Sequence, residues 1–376
     1  MSSVNRENKT EFGFQWHITN RCNLRCAHCY QEDYSGSNEL DLDGLKRIAD
    51  DIIRTLAKWN KRGDIAITGG EPLLKEEMFP LIHYLESVDE ISSLDILSNG
   101  TLINDKILAQ IQELTKLRCV QLSMEGDSPE SNDAIRGKGT FQKVTKAIRL
   151  LRSGGINVNI MFTLQLRNVE DIPSLIDLAI AEGISSLTIE RLVPTGSGAK
   201  IRNELLSPEE IKRVFDYISG RAEQEINRGG LTSIPRSRPL WVMCNRNHGS
   251  LGGDTSNKDT AGGICSIGLD GLCILPDATV LPCRRLPIPI GNLKKDSLLK
   301  IWHTSDLLWE IADKRNLKGK CNSCEFIPRC SGCRAMAYAC TGDYLAEDPQ
   351  CWKQETDRRG RQYDGQSQEL EKTKIS

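Results

Sequence analysis

The distribution of cysteine limits what this chain can fold into more than any other feature of the sequence. The 376 residues include 14 cysteines, and Cys119 alone stands far from the others. The remaining ones are Cys22, Cys26 and Cys29, then Cys244, Cys265, Cys273 and Cys283, and finally Cys321, Cys324, Cys330, Cys333, Cys340 and Cys351. In a reducing compartment, clustered cysteines are more often metal ligands than disulfides. We therefore predict a cysteine-poor body with metal-binding regions towards both ends, and a buried structural role for Cys119.

Charge balance and hydropathy argue against two broad classes of function. Lys and Arg total 49 and Asp and Glu total 51, a formal net charge of -2, whereas a general nucleic-acid binder normally has a basic excess. No stretch approaches the roughly 18 apolar residues of a membrane-spanning helix. Residues 1–12 are polar and lack the apolar core of a signal peptide. We expect a cytoplasmic protein with no nucleic-acid or membrane partner.

Strand-like and helix-like segments alternate through the first half of the chain. Between the first two predicted strands, Leu45, Ile48, Ile52 and Leu56 recur at helical spacing. The predicted strands are 12–18, 64–68, 92–97, 118–123, 157–163 and 186–192. Six βα units in succession predict a parallel sheet with right-handed crossovers, too few for a complete eight-stranded barrel. The predicted fold class is α/β, a partial (β/α)6 barrel of the TIM type, with a flat doubly wound sheet as the alternative.

Composition divides the chain into five regions. They are a polar tail at 1–11, the barrel at 12–205, a helix and polar loop at 206–263, a cysteine-rich domain at 264–352 and a charged tail at 353–376. The cysteine-rich domain has short elements and is too small to depend on a large apolar core. Metal ligation is therefore expected to stabilise it, and the charged tail is expected to be disordered.

The first cysteine group follows the first predicted strand directly. At the carboxyl end of a parallel strand, side chains point into the site that such sheets form. Three thiolates from Cys22, Cys26 and Cys29 suit three irons of a 4Fe–4S cubane and leave the fourth iron open to another ligand. A structural zinc site normally has four protein ligands, and His28 is the residue that would complete one. A disulfide with one free thiol is the other alternative.

The segments around this loop resemble the signature of radical S-adenosylmethionine (SAM) enzymes. CxxxCxxC after the first strand is followed in order by ITGGEPLL, LSNGTLI, LSMEGDSPESNDAIRGKGTF and VPTGSG. Together these segments span about residues 12–200. Each is weak or moderate alone, and their common order makes the resemblance specific.

The resemblance implies a role for each matching residue. Gly69, Gly70 and Glu71 would receive the ammonium of SAM, and Arg136 would pair with its carboxylate, since a planar guanidinium suits a carboxylate. The other implied SAM contacts are Ser98 and Asn99 of LSNGTLI, Ser123, Glu125 at a position where Asp is commoner, and His28 against the adenine. The implied reaction is one-electron cleavage of SAM to methionine and a 5′-deoxyadenosyl radical, which then takes a hydrogen atom from the substrate.

The cysteine-rich domain resembles the SPASM extension of radical SAM enzymes, which binds two auxiliary iron–sulfur clusters. CSIGLDGLCILPDATVLPC predicts a β-hairpin with Asp277 and Ala278 in its turn, and Cys330 and Cys333 are two residues apart where three is common. The family's ligation implies one cluster on Cys265, Cys283 and Cys333, and another on Cys321, Cys324, Cys330 and Cys351. For the first cluster, the fourth ligand is Cys244, Cys273 or an open iron. Spacing alone also permits a zinc ribbon on 321–333, and Cys340 is predicted to be a packed thiol.

The resemblance implies that the substrate is a peptide or protein that undergoes radical modification. Only 21 residues precede Cys22, which leaves no room for a built-in leader-peptide domain, so the expectation is either a separate recognition protein or a substrate that is not a leader peptide. A flavodoxin or ferredoxin is the expected electron donor. The ending CSGCRAMAYACTGDYLAEDPQC also resembles enzymes of haem synthesis, so oxidative tailoring of a tetrapyrrole or another cofactor is an alternative. A non-catalytic iron–sulfur carrier or zinc module is the alternative from another class, and no catalytic base is identifiable.

Overall fold

A parallel sheet forms the centre of the molecule. The computed structural model describes residues 10–244, 265–327 and 329–353. The first six strands are parallel and follow one another in space as in sequence. They are β1 Glu11–His17, β2 Arg62–Thr68, β3 Ile91–Ser98, β4 Leu117–Ser123, β5 Val158–Leu164 and β6 Ser186–Arg191. The six strands lie within two residues of their predicted positions, and the sheet is open, which confirms the partial barrel.

Helices cover the outer face of the sheet. In β1, Phe12, Phe14 and Trp16 are buried, while Gly13 and Gln15 line a cavity on the inner face. The helices are α1 Leu42–Trp59, α2 Met78–Glu86, α3 Asp105–Gln112, α4 Pro129–Arg136, α5 Thr140–Ser153, α6 Ile172–Ala181 and α7 Pro208–Asn227, followed by α8 Leu298–Thr304, α9 Asp306–Ala312 and α10 Arg334–Thr341. The apolar side chains therefore face the helices and leave the inner face free for polar groups.

Helix α1 shows how the sequence sets these elements. The Asp41 side chain accepts a hydrogen bond from the Gly44 N–H, which caps the amino end, and Asn60 ends the helix in the left-handed conformation. The predicted stripe Leu45, Ile48, Ile52 and Leu56 is buried. Burying four such side chains contributes about 1.5–3 kcal/mol each, so the helix is held mainly by its apolar face.

The cysteine-rich region continues the same sheet, which the sequence did not predict. Strand β7 Gly271–Ile274 pairs parallel with β1, and β8 Thr279–Leu281 and β9 Gly291–Asn292 extend the sheet in antiparallel fashion. The predicted hairpin is confirmed, and Ala278 in its turn adopts a φ of 72°, a conformation that favours glycine.

A buried ion pair also joins the last barrel strand to the C-terminal part of the chain. Arg191 donates to both carboxylate oxygens of Asp348, at 3.0 and 2.7 Å, and Asp348 also accepts from the Cys333 N–H at 2.8 Å. The predicted polar loop falls largely on residues 245–264, and the predicted tails on 1–9 and 354–376, all outside the described residues. None of the described helices is both long enough and apolar enough to cross a membrane.

Candidate functional site

The loop that carries the first three cysteines, residues 18–34, is named the cysteine loop here. It packs against the carboxyl end of β2: the Gly70 N–H donates to the Thr19 carbonyl and the Glu71 N–H to the Arg21 carbonyl, both at 2.8 Å. A Cβ on Gly70 would lie 2.5 Å from the Arg21 carbonyl oxygen, and one on Gly69 would meet that of Thr19. The two glycines are therefore needed for the loop to approach the sheet, whatever contact they also make with SAM.

The three thiols of the cysteine loop are partly exposed to the cavity. Backbone N–H groups of Leu24 and Gln31 donate to the sulfur atoms of Cys22 and Cys29, both at 3.4 Å. The Arg136 Nη1 lies 3.8 Å from the Cys26 sulfur. Burial raises the pKa of Cys26 to about 11, although the Arg136 charge opposes the rise. Hydrogen-bond donors around exposed thiols are the surroundings that thiolate ligands of an iron–sulfur cluster need, so the residues fit the cluster.

The carboxylate of Glu71 is fully buried behind the loop. It accepts hydrogen bonds from the Ser98 hydroxyl and the Asn99 N–H, both at 2.8 Å, and from the Leu73 N–H at 3.2 Å. Burial raises its pKa to about 7, although the bonds from Asn99 and Ser98 oppose the rise. The carboxylate thus joins the ends of β2 and β3, and it does not line the cavity. Its predicted contact with the SAM ammonium remains a prediction.

Glu125 joins the two other residues assigned to SAM. Its buried carboxylate lies 3.2 Å from the His28 Nε2 and 2.9 Å from the Arg136 Nη2, and it accepts from the Thr163 N–H at 2.5 Å. Burial alone would raise the pKa of Glu125, but His28 and Arg136 outweigh it and the pKa is lowered. The His28 Nδ1 and the Arg136 Nε are buried without a hydrogen-bond partner. These two nitrogens are suited to a polar ligand in the cavity, so the cluster fits a SAM site.

A cavity of about 670 Å³ runs from the cysteine loop across the inner face of the barrel to the segment after Cys283. It brings together the thiols of the cysteine loop with His28, Gly69, Gly70, Ser98, Asn99, Ser123, Glu125 and Arg136. Apart from Glu71, all the predicted SAM contacts thus lie on one surface. Their individual contacts with SAM remain predictions.

Sequence reasoning missed one part of the cavity wall, the segment after Cys283. The guanidinium of Arg284 stacks on the Tyr30 ring at 4.4 Å, and its Nε is buried without a hydrogen-bond partner. The neighbouring Arg285 instead pairs with Glu190 at 3.2 Å. Two arginines directly after Cys283 are visible in the sequence, but nothing local shows that they face the cysteine loop.

Neighbouring auxiliary cysteines occur within each of the two predicted ligand sets, and their ligation of clusters remains a prediction. Burial raises the pKa of Cys265 to about 12, with further increases from Cys333 and Cys283, and these three line a separate cavity of about 70 Å³. In the second group, burial raises the pKa of Cys321 and the pKa of Cys324, and Cys330 adds to the rise in both. Burial also raises the pKa of Cys351 to about 11, with an increase from Cys321.

Cys273 and Cys244 are the two cysteines predicted as candidates for the fourth ligand of the first auxiliary group. Cys273 is buried on β7, where burial and then Cys283 raise its pKa. Cys244 instead has Asp216, Lys212 and Arg236 as its charged neighbours. Of the two cysteines, Cys273 is therefore the better placed. In the described residues, no three His, Cys, Asp or Glu side chains converge closely enough to hold a single metal ion, so neither zinc alternative has a preformed site there.

Cys119 and Cys340, which the sequence analysis assigns to no cluster, have other neighbours. Cys119 is buried on β4 but has polar neighbours, since its sulfur lies 3.2 Å from Asp95 Oδ1 and 3.1 Å from Asn159 Nδ2. Cys340 packs its sulfur 3.8 Å from that of Met336.

Comparisons with known proteins agree with this geometry. Residues 16–179 match the radical SAM superfamily, and residues 265–325 match SPASM, an iron–sulfur cluster-binding domain. The chain is 29% identical to an AdoMet-dependent heme synthase of Methanosarcina barkeri, over 89% of this chain and 95% of that protein. It is 26% identical to the mycofactocin maturase MftC of Mycolicibacterium smegmatis, over 89% and 81%.

Solved structures share the fold. Streptococcus suis SuiB bound to S-adenosylmethionine has a TM-score of 0.71 at 18% identity, over 92% of this chain and 78% of that one. A second structure, anSMEcpe with bound AdoMet, has a TM-score of 0.70 at 19% identity, over 91% and 90%. The matches favour an enzyme over a non-catalytic carrier or zinc module. The chain belongs to the radical SAM superfamily and is a SAM-cleaving enzyme with a SPASM domain, with a 4Fe–4S cluster for SAM and auxiliary iron–sulfur clusters.

Proposed function

We propose that this enzyme uses the 5′-deoxyadenosyl radical to abstract hydrogen from a peptide or protein substrate held in the large cavity. The observation that carries the proposal is the polar inner face of the barrel. Amide and hydroxyl side chains line the cavity from four different strands, at Gln15, Thr68, Gln121 and Thr163. Such groups match the N–H and C=O groups of a peptide, which need partners when they leave water.

The wall formed by Arg284 supports a substrate that carries a carboxylate. Its guanidinium faces the cavity and is stacked on Tyr30, and no described carboxylate pairs with it. A carboxylate placed there would form charge-assisted hydrogen bonds, which contribute about 1.5–3 kcal/mol. A C-terminal carboxylate or an acidic side chain of a peptide meets this requirement.

The chain's own residues prepare the site. Glu125 holds His28 and Arg136 in fixed orientations, and each of the two keeps a buried nitrogen that has no hydrogen-bond partner. Glu71 fixes the ends of β2 and β3, and the backbone at Gly69 and Gly70 is left for the SAM ammonium. A 4Fe–4S cluster on Cys22, Cys26 and Cys29, when bound, supplies the electron that cleaves SAM. Further clusters on Cys265, Cys283 and Cys333, and on Cys321, Cys324, Cys330 and Cys351, complete the proposed cofactors.

A second candidate is oxidative tailoring of a tetrapyrrole. The observation that favours it is the set of relatives: besides the heme synthase, a Fe-coproporphyrin III synthase of Methanosarcina barkeri is 28% identical over 90% of this chain. A tetrapyrrole with carboxylate side chains would also use Arg284. The two candidates therefore differ in the substrate that the inner face of the barrel would bind, a peptide in the first and a tetrapyrrole in the second.

One experiment separates them. The protein is reconstituted without oxygen, reduced with dithionite and given SAM together with either short peptides encoded beside its gene or iron-coproporphyrin III. We expect a peptide to increase 5′-deoxyadenosine formation and to lose hydrogen in its mass spectrum, and we expect Arg284→Met to weaken this about tenfold or more. Stimulation by the tetrapyrrole alone, with a changed absorption spectrum, would establish the second candidate.

Partners are part of the same proposal. A flavodoxin or ferredoxin would reduce the clusters in the cell, and a separate recognition protein would present the peptide. Replacing dithionite by a reduced flavodoxin tests the first, because 5′-deoxyadenosine must still form. Co-purification of a small partner with the tagged enzyme and its peptide tests the second.

A further inference from the structure

Arg334 is a fully buried arginine between the two groups of auxiliary cysteines. It is 0% exposed and follows Cys333 at the start of α10. Its Nη1 donates to the Tyr344 and Ala346 carbonyls at 2.9 and 2.7 Å. Its Nε and Nη2 have no hydrogen-bond partner, and no carboxylate of the described residues pairs with it. Burying a charge that has no counter-ion and unused donors costs free energy. A partner that is bound to the folded protein would offset this cost.

The surroundings of Arg334 point to the missing partner. Its side chain lines the cavity of about 70 Å³ that also contains Cys265, Cys283 and Cys333. The guanidinium also lies against Gly332, whose N–H donates to the Cys330 sulfur at 3.4 Å. Cys265 and Cys330 belong to different proposed clusters. The same guanidinium therefore lies beside both proposed sites.

The backbone next to Arg334 leaves room for this position. Gly332 has a φ of +63°, and a Cβ there would lie 2.6 Å from the Arg334 Nη2. Glycine thus permits the guanidinium to occupy the space between the two groups. Since an arginine is always charged, the auxiliary region carries a fixed positive charge at its centre.

We propose that Arg334 is the shared counter-ion of the two auxiliary clusters. Its Nε–H and Nη2–H donate to sulfur of the cluster held by Cys265, Cys283 and Cys333, and its charge also acts on the cluster held by Cys321, Cys324, Cys330 and Cys351. A positive charge and hydrogen bonds to sulfur stabilise the reduced, more negative form of a cluster. Arg334 is thus a positioning residue that raises both reduction potentials. The inference rests on the proposed ligand sets of the auxiliary clusters.

The test uses the full-length protein with Cys22, Cys26 and Cys29 all replaced by alanine, so that only auxiliary clusters contribute to the spectra. Iron and sulfide content, circular dichroism and an EPR-monitored redox titration are measured. In this background, Arg334→Met is expected to lower the midpoint potentials of both clusters. Arg334→Lys, which keeps the charge and loses the planar donors, is expected to lower them less. The matched control is Arg315→Met, whose side chain is 89% exposed and pairs with Asp313, and it should leave both potentials unchanged.

Each other result either supports the proposal or contradicts it at a defined point. Unchanged potentials in Arg334→Met with full iron content would overturn it, and a shift in one cluster alone would refute the shared role. If Arg334→Met binds no iron, recovery of iron in Arg334→Lys supports the counter-ion role. If Arg334→Met and Arg334→Lys both fold but bind no iron, Arg334 acts through packing and not as a counter-ion. If the parent background itself binds no auxiliary iron, the ligand sets are wrong, and the role of Arg334 falls with them.

Discussion

The two cysteine-containing regions of this enzyme are built in different ways. The cysteine loop lies on the end of a parallel sheet and is fixed by backbone hydrogen bonds to β2 and by the packing of Gly69 and Gly70. The auxiliary segment, residues 314–353, contains two three-residue turns of 3-10 helix and α10, and its cysteines are spread along the chain. The sheet therefore organises the first region, whereas we expect the clusters themselves to organise the second.

Matched cysteine substitutions give the largest expected contrast. Cys26→Ala should abolish 5′-deoxyadenosine formation, because three thiolates are the minimum for the SAM cluster, while most auxiliary iron and the thermal stability are retained. Cys324→Ala should lose iron and become less soluble, because its region depends on the metal. Iron analysis, thermal unfolding and SAM cleavage of both variants check this. Retained cleavage in Cys26→Ala, or unchanged iron in Cys324→Ala, would contradict the assignments.

Removal of all iron should affect the barrel strands and the auxiliary segment differently. In the apoprotein, amide hydrogens of β1 to β6 should stay protected, because none of the cysteines assigned to a cluster lies on these strands. Amides of 314–353 should exchange much faster, since opening of a region with few long elements costs little free energy. Hydrogen exchange followed by mass spectrometry measures this, with the iron-loaded protein as the control. Equal protection of the auxiliary segment in both forms would show that its fold is independent of the clusters.

The first region was the more predictable one for the same reason. Residues 12–200 show the hydrophobic patterns of strands and helices, and these patterns predicted the six strands. The same residues carry motifs in the family's order, and these motifs predicted that His28, Glu125 and Arg136 belong to one site. The pairing of β7 with β1, the Arg191–Asp348 ion pair and the cavity position of Arg284 were not. They depend on contacts between segments more than a hundred residues apart, and a single sequence gives no signal for such pairings.

The pH dependence of stability tests the buried carboxylate behind the cysteine loop. Burial raises the pKa of Glu71 to about 7 from an ordinary value of 4.5, so the folded state binds the proton more tightly than the unfolded state. The free energy of unfolding of the apoprotein should therefore fall as pH rises from about 4.5 to about 7, by up to about 3 kcal/mol. Glu71→Gln should remove this dependence. Urea unfolding at several pH values measures it, and an unchanged slope in the variant would assign the titration to other groups.

A single methyl group tests whether packing, rather than metal, positions the cysteine loop. In Gly70→Ala the new Cβ would lie 2.5 Å from the Arg21 carbonyl oxygen and 2.7 Å from that of Asn20, so backbone atoms must move at a cost of about 1–3 kcal/mol. Gly220→Ala in α7 is the matched control, because a Cβ there meets nothing within 4 Å and alanine favours a helix by about 0.5–1 kcal/mol. Urea unfolding of the two apoproteins should therefore show opposite signs. If Gly70→Ala is as stable as the unsubstituted apoprotein but fails to cleave SAM, the glycine acts on the cofactor and not on the loop. Packing on the sheet would then not be what distinguishes the cysteine loop from the auxiliary segment.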